Sequence, residues 1–339
     1  MEQQKLISYC TALDEAIQTA QQWVNNNAEL VKNDSETLQK ELRRAGRAFR
    51  KCGTALARKM CAGVFGPSQA GKSYLLSALA RDSEGQLHAC FDESRLDFIS
   101  EINPEGGKES TGLVTRFTMT PLPRHPQGYP VALQLLSETD LVKIIANTYY
   151  ADCEHKEIPD DVAIQTALAA LENRKGTPCG HLTLDDMEDL HEYVWGEFAA
   201  SARVQTLQKV FWNQAQDLAP LLGLDDRVTL YSLLWDGVPE FTNLLRRLVG
   251  ALEQLHHARQ AFCSLDALTP RETSIIDVAM LQGLEGESMG DLTVATADGA
   301  TISLPRAVVT ALTAELTIVM EHKPADFFDH SVKTKSARS

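Results

Sequence analysis

No stretch of the 339-residue chain reaches about 18 consecutive uncharged apolar residues, so no transmembrane helix is expected. The first residues, MEQQKLISYCTALDEAIQ, lack the basic and then apolar blocks of a secretory signal. A cytoplasmic location is therefore expected, with export by a route that uses no cleavable signal as the alternative. Cysteine is sparse: Cys10, Cys52, Cys61, Cys90, Cys153, Cys179 and Cys263 are scattered and odd in number, which excludes a disulfide framework and fits a reducing compartment. Positive charge is also short, with 32 Lys and Arg against 46 Asp and Glu, a net charge of −14. Without a basic stripe to offset that repulsion, nucleic acid and anionic membrane surfaces are excluded as main partners. The one basic run, Arg43, Arg44, Arg47, Arg50, Lys51, Arg58 and Lys59, reads as a solvated helix face. Internal repeats and low-complexity segments are missing too.

What is present is enough apolar residue, 44%, for a folded protein of one large domain or two ordinary ones. Residues 1–59 read as a helical segment. Leu6, Ile7, Leu13, Ile17, Ala20, Trp23 and Val24 recur at three- and four-residue steps, as do Leu38, Leu42, Ala45, Phe49, Cys52 and Leu56. Between the two runs, Asp34 or Ser35 is the expected N-cap. At Met60 the pattern changes to MCAGVF, a short apolar run that suits a buried parallel strand, and SYLLSALAR then resumes helical spacing. Strands are expected in TGLVTRFTMTPL (111–122) and YPVALQLLS (129–137). Residues 138–263 read as a large helical insertion broken at RKGTPCGH and GLDDRVT. Strands return in 264–330, with a hairpin turn at Asp298-Gly299 and a last strand in AELTIVM. The expected fold is α/β: a sheet flanked by helices, its first part at 60–137 and its continuation at 264–330, with a disordered tail at 331–339.

Between the expected strand and helix lies Gly66-Pro67-Ser68-Gln69-Ala70-Gly71-Lys72-Ser73, which fits G-x-x-x-x-G-K-[ST] in full. The glycines permit backbone geometry closed to other residues, so successive N–H groups can turn inward on anionic oxygens at a positive helix end. Gly66, Ser68, Gln69, Ala70, Gly71, Lys72 and Ser73 are the candidate phosphate ligands. Lys72 would reach the β and γ phosphates and is the catalytic candidate, and Ser73 would give its hydroxyl to Mg²⁺. Further on, NPEGGKESTGLVTRF offers Thr111 as a second Mg²⁺ ligand before a strand, with Gly106 and Gly107 for mobility. The alternative for this stretch is an ordinary Gly-rich loop.

AGVFGPSQAGKSYLLSALA, GGKESTGLVTRFT and PRAVVTALTAELTI resemble the SrfC-like family of bacterial virulence factors. The resemblance spans the chain apart from a short C-terminal stretch, as the N-terminal part of a longer protein. It implies a P-loop NTPase-like domain similar to the dynamin-like GTPases, with GTP favoured over ATP and sibling proteins of the same operon as partners. The sequence departs from that pattern where hydrolysis would be completed. LTIVME ends an apolar strand at Glu321, but HKPADFFDH follows in place of a D-x-x-G turn, and TKSA (334–337) lacks the Asp of an N/T-K-x-D element. A D-x-P-G stretch expected soon after His330 is replaced by SVKTKSARS, so a truncated family member is expected.

Other constellations have plainer readings. Cys153-x-His155 and Cys179-x-His181 offer four zinc ligands at an unusual spacing, and unrelated loop residues are the preferred reading. His256-His257 falls on an expected helix, where one ring at most faces inward. DDMED (185–189) opens a helix whose positive end carboxylates favour. VFWNQAQDLAPLLG and LLRRLVGALEQL suit bundle core, or a partner surface. The leading expectation is a P-loop nucleotide-binding domain with Mg²⁺ and GTP or ATP and incomplete hydrolytic machinery. The alternatives are a non-enzymatic assembly protein and an inactive product.

Overall fold

The computed structural model describes residues 2–58, 61–66, 70–82, 85–103, 114–122, 124–153, 160–268 and 290–320. The chain divides into two compact units, one of residues 1–63 with 183–189 and the other of 64–182 with 190–339.

In the first unit, α1 (Glu2–Asn26) and α3 (Ser35–Ala57) form a hairpin. The link between them is a single helical turn, α2 (Ala28–Val31), and a 3₁₀ turn. The apolar period chooses the facing sides. A Cβ added at Gly46 would lie 3.2 Å from the Asp14 carboxylate and 3.5 Å from Ile17, so the helices approach closely there. The Gln39 amide ties the linked end of the hairpin, donating to Gln21 O at 2.9 Å and Asn25 Oδ1 at 3.0 Å. Neither expected cap operates: Asp34 stands at the N-cap with helical backbone angles and makes no side-chain cap bond.

The basic run on α3 is only in part a solvated face: Arg44, Arg50, Lys51 and Arg58 are exposed, whereas Arg43 is half-buried and Arg47 buried. Residues 183–189 lie against it, opening α7 (Leu184–Phe198) with a reciprocal cap in which Thr183 N donates to Asp186 Oδ2 at 2.9 Å and Asp186 N to Thr183 Oγ1 at 3.3 Å. Arg43 Nη2 reaches Glu188 Oε1 at 2.6 Å, Arg47 Nη1 binds Glu188 Oε2 and sits 3.3 Å from Asp185, and Arg50 pairs with Asp14 and Asp185. Lys51 pairs with Asp189. The DDMED carboxylates thus answer the arginines, and Arg47 is only 7% exposed.

The second unit holds an eight-stranded sheet: β1 (His88–Phe91), β2 (Ser94–Asp97), β3 (Thr115–Thr118), β4 (Val131–Leu135), β5 (Gln260–Cys263), β6 (Asp291–Ala295), β7 (Thr301–Pro305) and β8 (Thr313–Met320). The order is β2-β1-β8-β4-β5-β6-β7, with β3 also on β8, and every pair is antiparallel except β3 with β8. The sheet expected from the phosphate-loop motif differs from this. Cys61–Gly66 forms no strand, all six residues are exposed, and Phe65 is 93% exposed. The long central strand β8 has both hydrogen-bonding edges taken, by β4 on one side and β3 on the other, with β1 at its end, which leaves no place there for a further parallel strand.

Between β4 and β5 lie α5 (Glu138–Asp152), α6 (Asp161–Glu172), the remainder of α7, α8 (Ala202–Val210), α9 (Trp212–Leu218), α10 (Leu224–Ser232) and α11 (Pro239–Gln254). Their core includes fully buried Trp212 and Leu245, from the apolar faces of 210–223 and 244–255, together with Tyr231 and Trp235. α11 ends at Gln254, and His256 and His257 both take left-handed backbone angles, φ 51° and 52°. They are therefore a turn rather than helix, and that turn delivers the chain into β5, a strand within the segment expected to be wholly helical. The β6–β7 hairpin forms around Asp298-Gly299 with Gly299 at φ 90°, and the PRAVV that follows becomes α12 (Arg306–Leu312). Among the described residues no helix is long and apolar enough to cross a membrane.

Candidate functional site

The glycine-rich loop runs into α4 (Lys72–Ala80). Gly66, Ala70, Gly71, Lys72 and Ser73 are described, whereas Ser68, Gln69 and Thr111 lie outside the described residues, as do Gly106, Gly107, His155, Glu321, His330 and the tail. Gly71 caps the helix at φ 80°, ψ 15°, in the left-handed region that favours glycine, and its carbonyl accepts from Leu75 N at 2.9 Å. Lys72 Nζ folds back to donate to Gly66 O at 3.0 Å, so the loop closes on itself with the ammonium at its mouth. No acidic residue stands in the first turn of α4, and the positive helix end is not neutralised from within that turn. Among the described residues a Cβ at Gly71 would meet nothing within 4 Å.

A second polar centre is buried among the helices. Ser137 caps α5 in a reciprocal box with Asp140, its Oγ accepting from Asp140 N at 3.1 Å while Asp140 Oδ2 accepts from Ser137 N at 2.9 Å. That cap sets Glu138 in the first turn, 3% exposed. Arg227 of α10, 1% exposed, reaches it twice, Nε to Oε1 at 2.9 Å and Nη2 to Oε2 at 3.2 Å, and also donates to Leu222 O at 2.8 Å. His181 Nε2 lies 3.2 Å from Glu138 Oε2, with Nδ1 3.2 Å from Cys179 O. His257 Nε2 is 3.0 Å from Glu253 Oε2. Burial alone would raise the Glu138 pKa, but the hydrogen bond from His181 and the charge of Arg227 outweigh it and hold the carboxyl below its ordinary range. Burial lowers His257, helped by the neighbouring His181, against the pull of Glu253. The fully buried Tyr231 hydroxyl is pushed far up, first by burial and then by the Glu138 charge.

Glu138, His181 and His257 place one ligand atom each within 4.8 Å of one another, the donor types of a divalent transition-metal site. The geometry opposes that use. The two imidazoles are stacked with centroids 3.3 Å apart and planes 7° from parallel. An ion lies near the plane of each ring that binds it, and two such planes do not meet at a common point. Both Glu138 oxygens, moreover, are already engaged by Arg227. The cluster is a polar lock that joins α5, α10, the end of α11 and the loop before α7. What the structure brings to His181 is Glu138 and His257, whereas Cys153 is exposed. His191 has an equally settled role: it stacks on Trp212 at 4.6 Å and bonds Gln208 and Gln216.

A mixed α/β protein with an antiparallel sheet, a helical block and a glycine-capped lysine loop is thus defined. Residues 20–332 match the model of the family described as "Putative bacterial virulence factor", and the chain belongs to that family. No curated protein and no solved structure matches the chain.

Proposed function

We propose that the chain binds the polyphosphate of a nucleoside triphosphate, GTP ahead of ATP, with Mg²⁺ at Gly66–Ser73. The observation that carries this reading is the left-handed Gly71 cap with Lys72 folded across the loop to Gly66. Together they set one ammonium at a helix end whose first turn carries no acidic residue. In the bound state Gly66, Ser68, Gln69, Ala70 and Gly71 would face the phosphates, Lys72 would turn from the Gly66 carbonyl toward the β and γ oxygens, and Ser73 and Thr111 would hold Mg²⁺. The finer reading, an SrfC-like, dynamin-like GTPase, rests on resemblance, and because HKPADFFDH rather than a D-x-x-G turn follows the apolar run LTIVME the proposal is for binding rather than turnover.

Calorimetry with Mg²⁺-GTP and Mg²⁺-ATP tests it. Wild type is expected to bind with a Kd between about 1 μM and 1 mM, and Lys72→Ala to lose that heat with its melting temperature unchanged. No heat from the folded wild type at millimolar nucleotide, or full binding by the variant, would sink the reading.

A further inference from the structure

α1 carries two apolar rows. Ile7, Cys10, Asp14, Ile17 and Val24 form the row against α3, where Val24 is buried and a Cβ at Gly53 would lie 3.5 Å from Cys10. One residue earlier, and so about 100° around the helix, runs a second row: Leu6, Tyr9, Leu13, Ala16, Ala20 and Trp23. Its spacing is three, four, three, four, three, the period of a coiled-coil seam. Yet Leu6 is 48% exposed, Tyr9 52%, Leu13 43% and Trp23 53%, and Leu30 on the following turn is 72% exposed. A bundle helix uses two such rows, one for each neighbour. α3 is the neighbour for the first row, and among the described residues nothing covers the second.

We propose that this row is the interface of a reversible dimer in which α1 packs antiparallel against α1 of a second copy of this chain. Antiparallel helices pair the two seam positions with each other. Set about a twofold axis at residue 18, the row matches itself within α1, where Leu13 faces Trp23 and Ala16 faces Ala20, while Leu6 and Tyr9 reach past the end of the partner helix toward the turn that carries Leu30. The small residues meet at the centre, where the backbones come closest, and Leu13 meets Trp23 to either side. The open flank of the row reads Lys5, Ala12, Thr19 and Asn26, so a chain of net charge −14 sets no carboxylate against its own copy along that flank. Four half-exposed large side chains offer roughly 400 Å² of apolar surface per copy, and with the flanks the pair buries on the order of 1,000 Å². That lies at the lower limit for a stable interface, so association is concentration-dependent. Most of the row precedes residue 20, where the family match begins.

Sedimentation velocity of the full chain without nucleotide, from about 1 to 100 μM, tests the proposal. Wild type is expected to move from monomer to dimer across that range, and Leu13→Glu to remain monomeric with an unchanged circular dichroism spectrum. A monomer at every concentration, or an equally tight dimer of Leu13→Glu, overturns it. Register is read separately with a short bis-maleimide, scored against the background of the unsubstituted chain. Thr19→Cys, next to the axis, is expected to cross-link to its copy and Ala12→Cys is not. Cross-linking of both, as a parallel pair would give, overturns the antiparallel register.

Discussion

Arg227→Met separates the charge of the buried lock from its shape. The methionine keeps most of the stem and removes the guanidinium, which leaves Glu138 ionised, 3% exposed, and without the two N–H donors of Arg227. Removing one partner of a buried ion pair costs about 3–5 kcal/mol, because the survivor keeps its desolvation penalty and loses its compensation. Leu222 O loses its donor as well. Against a total stability of about 5–15 kcal/mol this is a large share, and at about 2–4 °C per kcal/mol it lowers the melting temperature by about 6–20 °C. Thermal melts followed by circular dichroism, with urea titrations alongside, provide the measurement. The decisive arm is Arg227→Met with Glu138→Gln, where no buried charge is stranded and the amide that replaces the carboxylate still reaches His181. It should regain at least about half of the loss. A single variant that melts within about 2 °C of the parent, or a double variant that is worse than the single, would show that the pair is not buried as described.

Two further outcomes follow from the charges. Glu138 is held below its ordinary value of 4.5 in the folded chain, so the unfolded chain binds the extra proton. The contribution of the lock is therefore complete above about pH 5 and is lost as the pH falls through 4.5 and below; Glu138→Gln should flatten that acid limb of a melting-temperature profile. In the first unit, Glu188 is lowered in the same sense, burial being outweighed by Arg43 and Arg47. Glu188→Gln should cost roughly 2–3 kcal/mol, between an exposed and a fully buried pair, and should raise amide exchange in residues 183–189.

The parts of the fold that were legible are those set by local period. The α1 and α3 faces follow from three- and four-residue spacing, β4 from VALQL, and the β6–β7 hairpin from Asp298-Gly299, whose positive φ glycine supplies. Short strands without alternation were missed: HACF and SRLD pair through a turn at Asp92, a non-glycine at φ 52°, and QAFC follows two histidines that end a helix where no glycine signals a stop. MCAGVF has the composition of a buried strand, but the places beside the central strand β8 are taken by β3, β4 and β1. The lysine loop was legible because its residues are consecutive. The lock was not, since Glu138 and Arg227 stand 89 residues apart and only the Ser137–Asp140 cap marks one end locally. Likewise the basic run and DDMED were each visible, but their pairing across 138 residues carries no local mark.

Cys61–Gly66 also bears on handling of the protein. Six residues of strand-forming composition lie outside any sheet, with Phe65 almost fully in water. Such a segment is a template onto which a neighbouring molecule can add a strand and then another, giving cross-β stacks. Aggregation of the protein on concentration is expected to start from this short run before the packed helices come under any strain.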